Sequence, residues 1–332
     1  MTSRRLGRAL LILLGLGMLV GIMFVTSMPG TSYRGALPSL SPEQLDLRDR
    51  LHTHVGTLAG AIGERNLYRY AELDQAAQYV SDTFHASGYQ VIQQAFNVNG
   101  KTVKNLEVLK EGLTVPNEII VVGAHYDSVF GSPGANDNAT GVGTMLELAR
   151  LLTPQRLARS VRFVAFVNEE PPYTYTEAMG SRRYVERAVS RGENIIAMLS
   201  LETIGYYSEE DHSQHYPFPF ALFYPHRGDF IGFVGNLRSR NLVRQAINSF
   251  RRHAKFPSEG CAAPGWITGI GWSDHWSFWK AGYSAIMVTD TALFRYSQYH
   301  SAADRPEIID YERLARVADG LASVVVDLAS SD

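Results

Sequence analysis

Runs of branched apolar residues alternate along this chain with stretches in which apolar residues recur every three or four positions. The runs read as buried strands and the periodic stretches as helices. Ser41-Pro42-Glu43 starts the first helix, with Ser41 as N-cap and Pro42 at the first helical position, and the amphipathic pattern continues to about Ile62. A second helix runs from about Leu73 to Ala86 and stops at Ser87-Gly88. Gln90–Asn97 and Lys104–Lys110, separated by Asn99-Gly100, read as a strand pair. Glu118–Ala124 is a buried strand, Gly141–Leu152 a helix, and Val161–Val167 a second buried strand that Pro171-Pro172 stops from continuing. Ser181 is read as the cap of a helix to about Ser190. Ile195–Leu201 and Ala285–Thr289 are the third and fourth strand runs, and Tyr311–Leu328 is the last helix. The stretch 206–236, rich in Tyr, Phe, Pro and His, reads as long loops. Its His212, His215 and His226 lack ligand spacing. Strands alternating with helices imply an α/β sandwich around a mostly parallel sheet.

The first forty residues follow another pattern. Arg4, Arg5 and Arg8 precede an uncharged run from Ala9 to Met28, long enough to span a bilayer as a helix. Basic residues before the run put residues 1–8 in the cytoplasm and the remaining chain outside. A cleaved signal peptide, giving a secreted protein, is the competing reading, but Thr26-Ser-Met28-Pro29 matches an Ala-x-Ala-like site poorly. Residues 29–40, rich in Pro, Gly and Ser, read as a linker, and 41–332 as one domain. Cys261 is the only cysteine, which excludes an intrachain disulfide. A net charge of −2 gives no basic excess, so nucleic acid is not expected as a partner.

Chemistry collects where the strand runs end. The first run delivers His125 and Asp127, which lie on the same side because strand side chains alternate. The second delivers Glu169 and Glu170, the third Glu202, and the fourth leads toward His300. In open α/β sheets, ligands bind beyond the carboxyl ends of the strands. Asp137 sits in the small-residue turn Gly134–Gly141 just before a helix, and glycines on either side let the backbone approach closely. Two His, two Glu and one Asp are a donor set that holds zinc ions bridged by a carboxylate. Asp127 and Glu169 are left over as orienter and general base.

Each piece also has a plain reading. His125-x-Asp127 can be a polar strand end, Asp137 a helix cap, Glu202 an exposed acid and His300 a loop histidine. Paired carboxylates ending a buried strand are costly unless cations are present. Strand alternation would send Glu169 and Glu170 in different directions, one to metal and one to the attacking water. Asp304 reads as a hydrogen-bond acceptor near His300 that braces the site or its loop. Ser273-Asp274-His275 reads as support for the site or as a helix cap before Trp276 and Phe278.

Gly123-Ala-His-Tyr-Asp-Ser128, Gly134–Gly141, Asn168-Glu-Glu170, Gly180-Ser181, Trp272-Ser-Asp-His275 and Tyr299-His300 through Ile309-Asp310-Tyr311 resemble, in this order, the co-catalytic zinc exopeptidases of metallopeptidase family 28. The resemblance covers about residues 50–328. That family includes bacterial secreted aminopeptidases, glutamate carboxypeptidases and glutaminyl cyclases. It implies a three-layer sandwich with a mixed, mostly parallel sheet between helices. It further implies one zinc on His125 and Glu202, another on Glu170 and His300, Asp137 bridging, Glu169 as general base and Asp127 orienting His125. Many members carry Asp where this chain has Glu202, so two zinc ions are expected and a single one is the variant. The implied activity is removal of N-terminal residues from peptide substrates, with Tyr173, Tyr175, Trp272 and Tyr296 as candidates for the side-chain pocket. The alternatives are a single-zinc glutaminyl cyclase using Asp137, Glu170 and His300, and a catalytically inactive membrane-tethered scaffold. The scaffold reading would require a missing ligand or base, and none is missing.

Overall fold

A computed structural model describes residues 15, 17 and 20–330. Helix α1 (Pro42–Val55) begins at the expected cap. Ser41 Oγ accepts the Gln44 N–H (3.2 Å) and Gln44 Oε1 accepts the Ser41 N–H (3.3 Å), pairing two donors that a helix start leaves open. A π-helical stretch, Gly56–Ile62, continues it. Helix α2 spans Tyr70–Ala86, and β1 (Ile92–Val98) pairs antiparallel with β2 (Lys101–Lys110). Asn99 and Gly100, which join them, both have positive φ, as a two-residue hairpin turn requires. Then follow β3 (Val115–His125), α3 (Gly141–Leu152), β4 (Arg159–Phe166), α4 (Gly180–Ser190) and β5 (Asn194–Glu202).

The next three elements have no counterpart in the pattern reading. They are β6 (Ile231–Gly235), α5 (Arg240–His253) and β7 (Ser258–Ala262). β6 lies inside the stretch read as loops; its five residues include two glycines, which leaves no apolar run to see. A short α6 (His275–Lys280), β8 (Ala285–Thr289) and α7 (Tyr311–Ser330) complete the fold. Ser181 does not cap α4. It lies inside the helix, and its hydroxyl meets that of Ser277 on α6 at 2.9 Å.

Among the described residues the strands form one sheet in the order β1-β2-β4-β3-β5-β8-β6-β7. The central four, β4, β3, β5 and β8, are mutually parallel; β2 and β6 flank them antiparallel. Alternation along β3 sends Ile120, Val122 and Ala124 into a core with α1, α2, α3, α5 and α7. Val121 goes to the other face, under Tyr184 and Val185 of α4 and Phe278 of α6. Each fully buried branched or aromatic side chain contributes roughly 1.5–3 kcal/mol. The result is the expected sandwich, with the ends of β3, β4 and β5 opening at one edge.

The run Ala9–Met28 lies largely outside the described residues, and among those described no helix is long and apolar enough to cross a membrane. Residues 29–40 contain no helix or strand, yet they are tied to the domain. Arg251 Nη1 donates to the Pro29 carbonyl (2.9 Å) and Arg316 to that of Pro38.

Candidate metal centre

All seven residues singled out for the site converge at the carboxyl edge of the central strands. His125 ends β3, Glu202 ends β5, Glu169 and Glu170 follow β4, Asp137 lies between β3 and α3, and His300 lies in the loop after β8. Asp137 is the hub. Its Oδ1 stands 3.1 Å from His125 Nε2, and its Oδ2 stands 3.1 Å from His300 Nε2. Glu202 Oε2 joins the first imidazole at 3.3 Å, and Glu170 Oε2 joins the second at 3.3 Å. Glu169 Oε2 is set back, 3.9 Å from His125 Nε2.

The turn carrying Asp137 is held by its neighbours. Asn136 Nδ2 donates to Asp290 (2.8 Å) and its Oδ1 accepts the Gly205 N–H (2.9 Å). Asn138 Nδ2 donates to the Leu201 carbonyl (2.8 Å), and its Oδ1 accepts the N–H groups of Thr203 and Gly141. Asn138 therefore does the local capping, and Asp137 is left facing the two histidines. The flanking glycines are required: a Cβ on Gly134, where φ is +63°, would meet the Asp137 carbonyl oxygen at 2.4 Å, and one on Gly141 would meet Asn138 Oδ1 at 2.3 Å.

Asp127 does more than orient His125. Its carboxylate lies 3.5 Å from His125 Nδ1, whose shorter contact is the Asp127 carbonyl oxygen at 3.2 Å. With Nδ1–H donating there, Nε2 is free to ligate. The same carboxylate accepts the backbone N–H groups of Glu169 and Glu170, both at 3.2 Å. Those two side chains do not diverge as strand alternation would have them. Asn168 has φ +58°, so the strand geometry ends before them and both reach the centre. Asp304 likewise braces the bridging turn and not His300: it accepts the N–H groups of Asn136 (2.7 Å) and Asp137 (3.1 Å) and the Tyr296 hydroxyl (2.8 Å).

Three contributors were weak or absent in the sequence reading. Ser273 Oγ donates to Glu202 Oε2 at 2.7 Å, so the longer arm of Glu202 is held toward His125. Asp274 caps nothing; it is buried beside the site with both oxygens lacking a hydrogen-bond partner. Arg65 is fully buried and donates to the carbonyls of Tyr126 (2.7 Å) and Gly134 (2.8 Å), tying two ligand-bearing turns together. Nothing local marks Arg65, which reads as an ordinary loop arginine.

Charge is concentrated here. Asp127, Asp137, Glu169, Glu170, Glu202 and Asp274 are all buried. Burial and Asp137 push Glu170 up to about 8. Burial, with Glu202, Glu170 and Asp274, holds Glu169 well above the usual carboxylate range against the pull of His125. Burial and Asp137 raise Glu202 as well, and burial above all carries Asp274 to about 7. Burial resists a charge on His300, but Asp137 and Glu170 carry it up to about 11. Burial resists it on His125 too, yet Glu202 and Glu169 raise that imidazole well above its ordinary value. Without metal, protonated imidazoles and the Arg65 guanidinium are the positive charges that face this cluster of acids.

These residues fit divalent metal. His125 Nε2, Asp137 Oδ1, Glu170 Oε1 and His300 Nε2 are buried without a hydrogen-bond partner, a costly condition unless something else pairs them. The groups His125–Asp137–Glu202 and Asp137–Glu170–His300 each bring their donor atoms within 4.8 Å of one another. Imidazole nitrogen and carboxylate oxygen are a zinc-type donor set.

Beside the centre opens an apolar pocket of about 840 Å³ including its mouth. Glu202 and Tyr299 line it, together with Phe230, Ile270, Trp272 and Met287. Of the aromatics expected there, Trp272 lines it. Tyr175 does not line it; its hydroxyl donates to the Gly271 carbonyl (3.1 Å). Tyr173 instead meets Asn99 and Tyr296 meets Asp304, so neither is a pocket wall.

Comparison with known proteins agrees with this geometry. The uncharacterized protein YfbL of Escherichia coli strain K12 is 36% identical over 303 residues, covering 87% of this chain and 90% of that protein. Aminopeptidase YwaD of Bacillus subtilis strain 168 is 29% identical over 247 residues, 70% of this chain; the chain spans 46% of that relative's length. The solved structure of BSAP, a zinc aminopeptidase from Bacillus subtilis, shares the fold with a TM-score of 0.67 at 17% identity, covering 86% of this chain and 95% of that one. The family model described as peptidase family M28 matches residues 107–325, well over half of the sequence, and the chain belongs to that family.

Proposed function

We propose that this protein is a zinc aminopeptidase acting through two ions, one held by His125, Asp137 and Glu202 and the other by Asp137, Glu170 and His300. The observation that carries the proposal is the pair of 3.1 Å contacts from the two oxygens of one carboxylate to two different imidazoles. Four carboxylates, Asp137, Glu169, Glu170 and Glu202, balance the charge of two divalent cations. Bound zinc would acidify a water and polarise the scissile carbonyl. Glu169, set back from the donor atoms, takes the proton from the attacking water and hands it to the leaving amine. Asp127 fixes the backbone of that base, so its carboxylate keeps one direction through both transfers. The apolar pocket beside Glu202 takes the side chain of an apolar N-terminal residue.

A cyclase needs only Asp137, Glu170 and His300, and it leaves the contacts of His125 Nε2 with Asp137 Oδ1 (3.1 Å) and with Glu202 Oε2 (3.3 Å) without a role. We place the domain outside the cytoplasm, held by the Ala9–Met28 run. The test is hydrolysis of aminoacyl anilides by the purified chain with and without chelator. Leucyl substrate should exceed glycyl substrate, and Glu169→Gln should lower kcat by ~10²–10⁴-fold with the metal content unchanged. Full activity in Glu169→Gln, or cyclisation of N-terminal Gln with one ion per chain, would sink the proposal.

A further inference from the structure

Residues 24–32 are clamped to the domain at several points. Residues 20–26 are helical and end on α5. Arg240 Nε donates to the Phe24 carbonyl (2.9 Å) with its guanidinium 4.0 Å over the Phe24 ring, and Arg244 Nη1 donates to the Ser27 carbonyl (2.6 Å). Carbonyls at a helix C-terminus lack intrahelical donors, and arginine there also meets the negative end of the dipole. Ser32 Oγ accepts the Ser258 N–H of the edge strand β7 (2.9 Å), and Met28 packs on Gly260, where a Cβ would meet its Cγ at 2.7 Å. A segment held this way fixes the orientation of the domain relative to whatever the preceding residues enter. What precedes it is the uncharged run that begins at Ala9, behind Arg4, Arg5 and Arg8.

The surface around this exit is apolar and flanked by cations. Val25 packs against a small cluster of Phe220, Cys261, Ala263 and Ile270. The chain neighbours of that cluster point outward: Phe218 and Trp266 are each 84% exposed and Leu222 is 73% exposed. Large apolar side chains exposed together mark an interaction surface, and Trp and Phe beside Arg suit the headgroup layer of a membrane.

We infer that this face docks on an anionic phospholipid bilayer, with Phe218, Leu222 and Trp266 in the headgroup region and Arg240 and Arg244 against lipid phosphates. A bilayer is the occupant because the Ala9–Met28 run ends in the clamped residues themselves, so this face stands where that run ends. The inference rests on reading that run as a membrane anchor. Phe220, Cys261 and Ile270 also line the side-chain pocket, so the pocket lies directly behind the docked face.

The test uses the full chain in vesicles of phosphatidylethanolamine and phosphatidylglycerol carrying a nitroxide on the headgroup. The emission of Trp266 is read as the difference between the native chain and Trp266→Phe. The expected result is loss of most of that emission, with none lost from a reporter introduced by Tyr68→Trp. Tyr68 is exposed, and its neighbours Leu67 and Tyr70 bond to the start of β2, next to the opposite sheet edge. Exchanging phosphatidylglycerol for phosphatidylcholine should weaken the quenching. Unquenched Trp266, quenching that is equal at both positions, or no response to lipid charge would overturn the inference. Alkaline extraction separates the two readings. A chain released to the supernatant overturns the anchor and the docking together, whereas a chain retained with unquenched Trp266 overturns the docking alone.

Discussion

The two halves of the metal centre share Asp137 but are built differently. The His125 side is made from strand ends: His125 closes β3, Glu202 closes β5, and Ser273 pins Glu202 from behind. Its imidazole is only 1% exposed. The His300 side joins Glu170 to a loop residue in the left-handed region, φ +55°, whose side chain is 29% exposed. Both halves present the same chemistry at nearly the same distances. Only one is locked into the sheet. Equal donor sets therefore do not make equal sites: the His125 half is closed off from solvent and the His300 half is the more open of the two.

Removing the shared member should have the largest effect. Asp137→Ala should leave the chain metal-free and bring hydrolysis to the uncatalysed level, read by elemental analysis and anilide assay; one retained ion would mean the halves are independent. Next come the paired variants. His125→Ala and His300→Ala should each leave one ion, but His125→Ala should also cost on the order of 3 kcal/mol in thermal melts, because it leaves buried carboxylates unpaired. His300→Ala should cost less, because solvent already reaches its 29% exposed side chain and can take its place beside Asp137 and Glu170. Equal melting shifts would erase the distinction between a sheet-borne and a loop-borne half.

A smaller effect lies in pH. In metal-stripped protein Glu170 has its folded pKa raised to about 8 by burial and Asp137, against an ordinary 4.5. The unfolded chain loses this proton first, so the contribution is fully present below about 4.5 and is lost as pH rises through about 8. Stripped protein should thus melt lower at pH 8 than at pH 5, and saturating zinc should remove that slope. An unchanged slope with metal would place Glu170 outside the ligand set. The smallest change is expected from Ser273→Ala, about tenfold weaker binding at the His125 side alone, seen as one shifted step in a zinc titration.

Much of this centre was legible because its residues sit where apolar runs stop. Strand and helix are not confused at β3, β4, β5 and β8: each run is apolar, short and followed closely by His, Glu or a turn. The N-cap at Ser41 and the Asn99-Gly100 turn are equally local signals. What escaped was set by distance in the chain. Arg65 gains its meaning only from carbonyls at 126 and 134, and Asp304 from amides at 136 and 137. Tyr173, Tyr175 and Tyr296 looked like pocket walls because aromatic residues near a site carry no sign of which way they face. α5 is a different case: Leu242, Val243, Ala246, Ile247 and Phe250 are buried at helical spacing, a pattern the residues do carry but that follows a region dominated by glycine, proline and aromatic residues.

The donors of the centre come from five separate segments between residues 125 and 300, none of which holds more than a fragment of either half. An ion therefore has nothing to grip until β3, β4, β5 and β8 are side by side. Metal held by these residues would not seed folding, as it can where ligands are close in sequence; it would bind after the long-range pairing is complete. From then on it acts by mass action, drawing the population toward the finished fold in proportion to free ion above its dissociation constant. Ion supply would thus bias the equilibrium toward the completed fold, while the rate of its formation is left to the sheet.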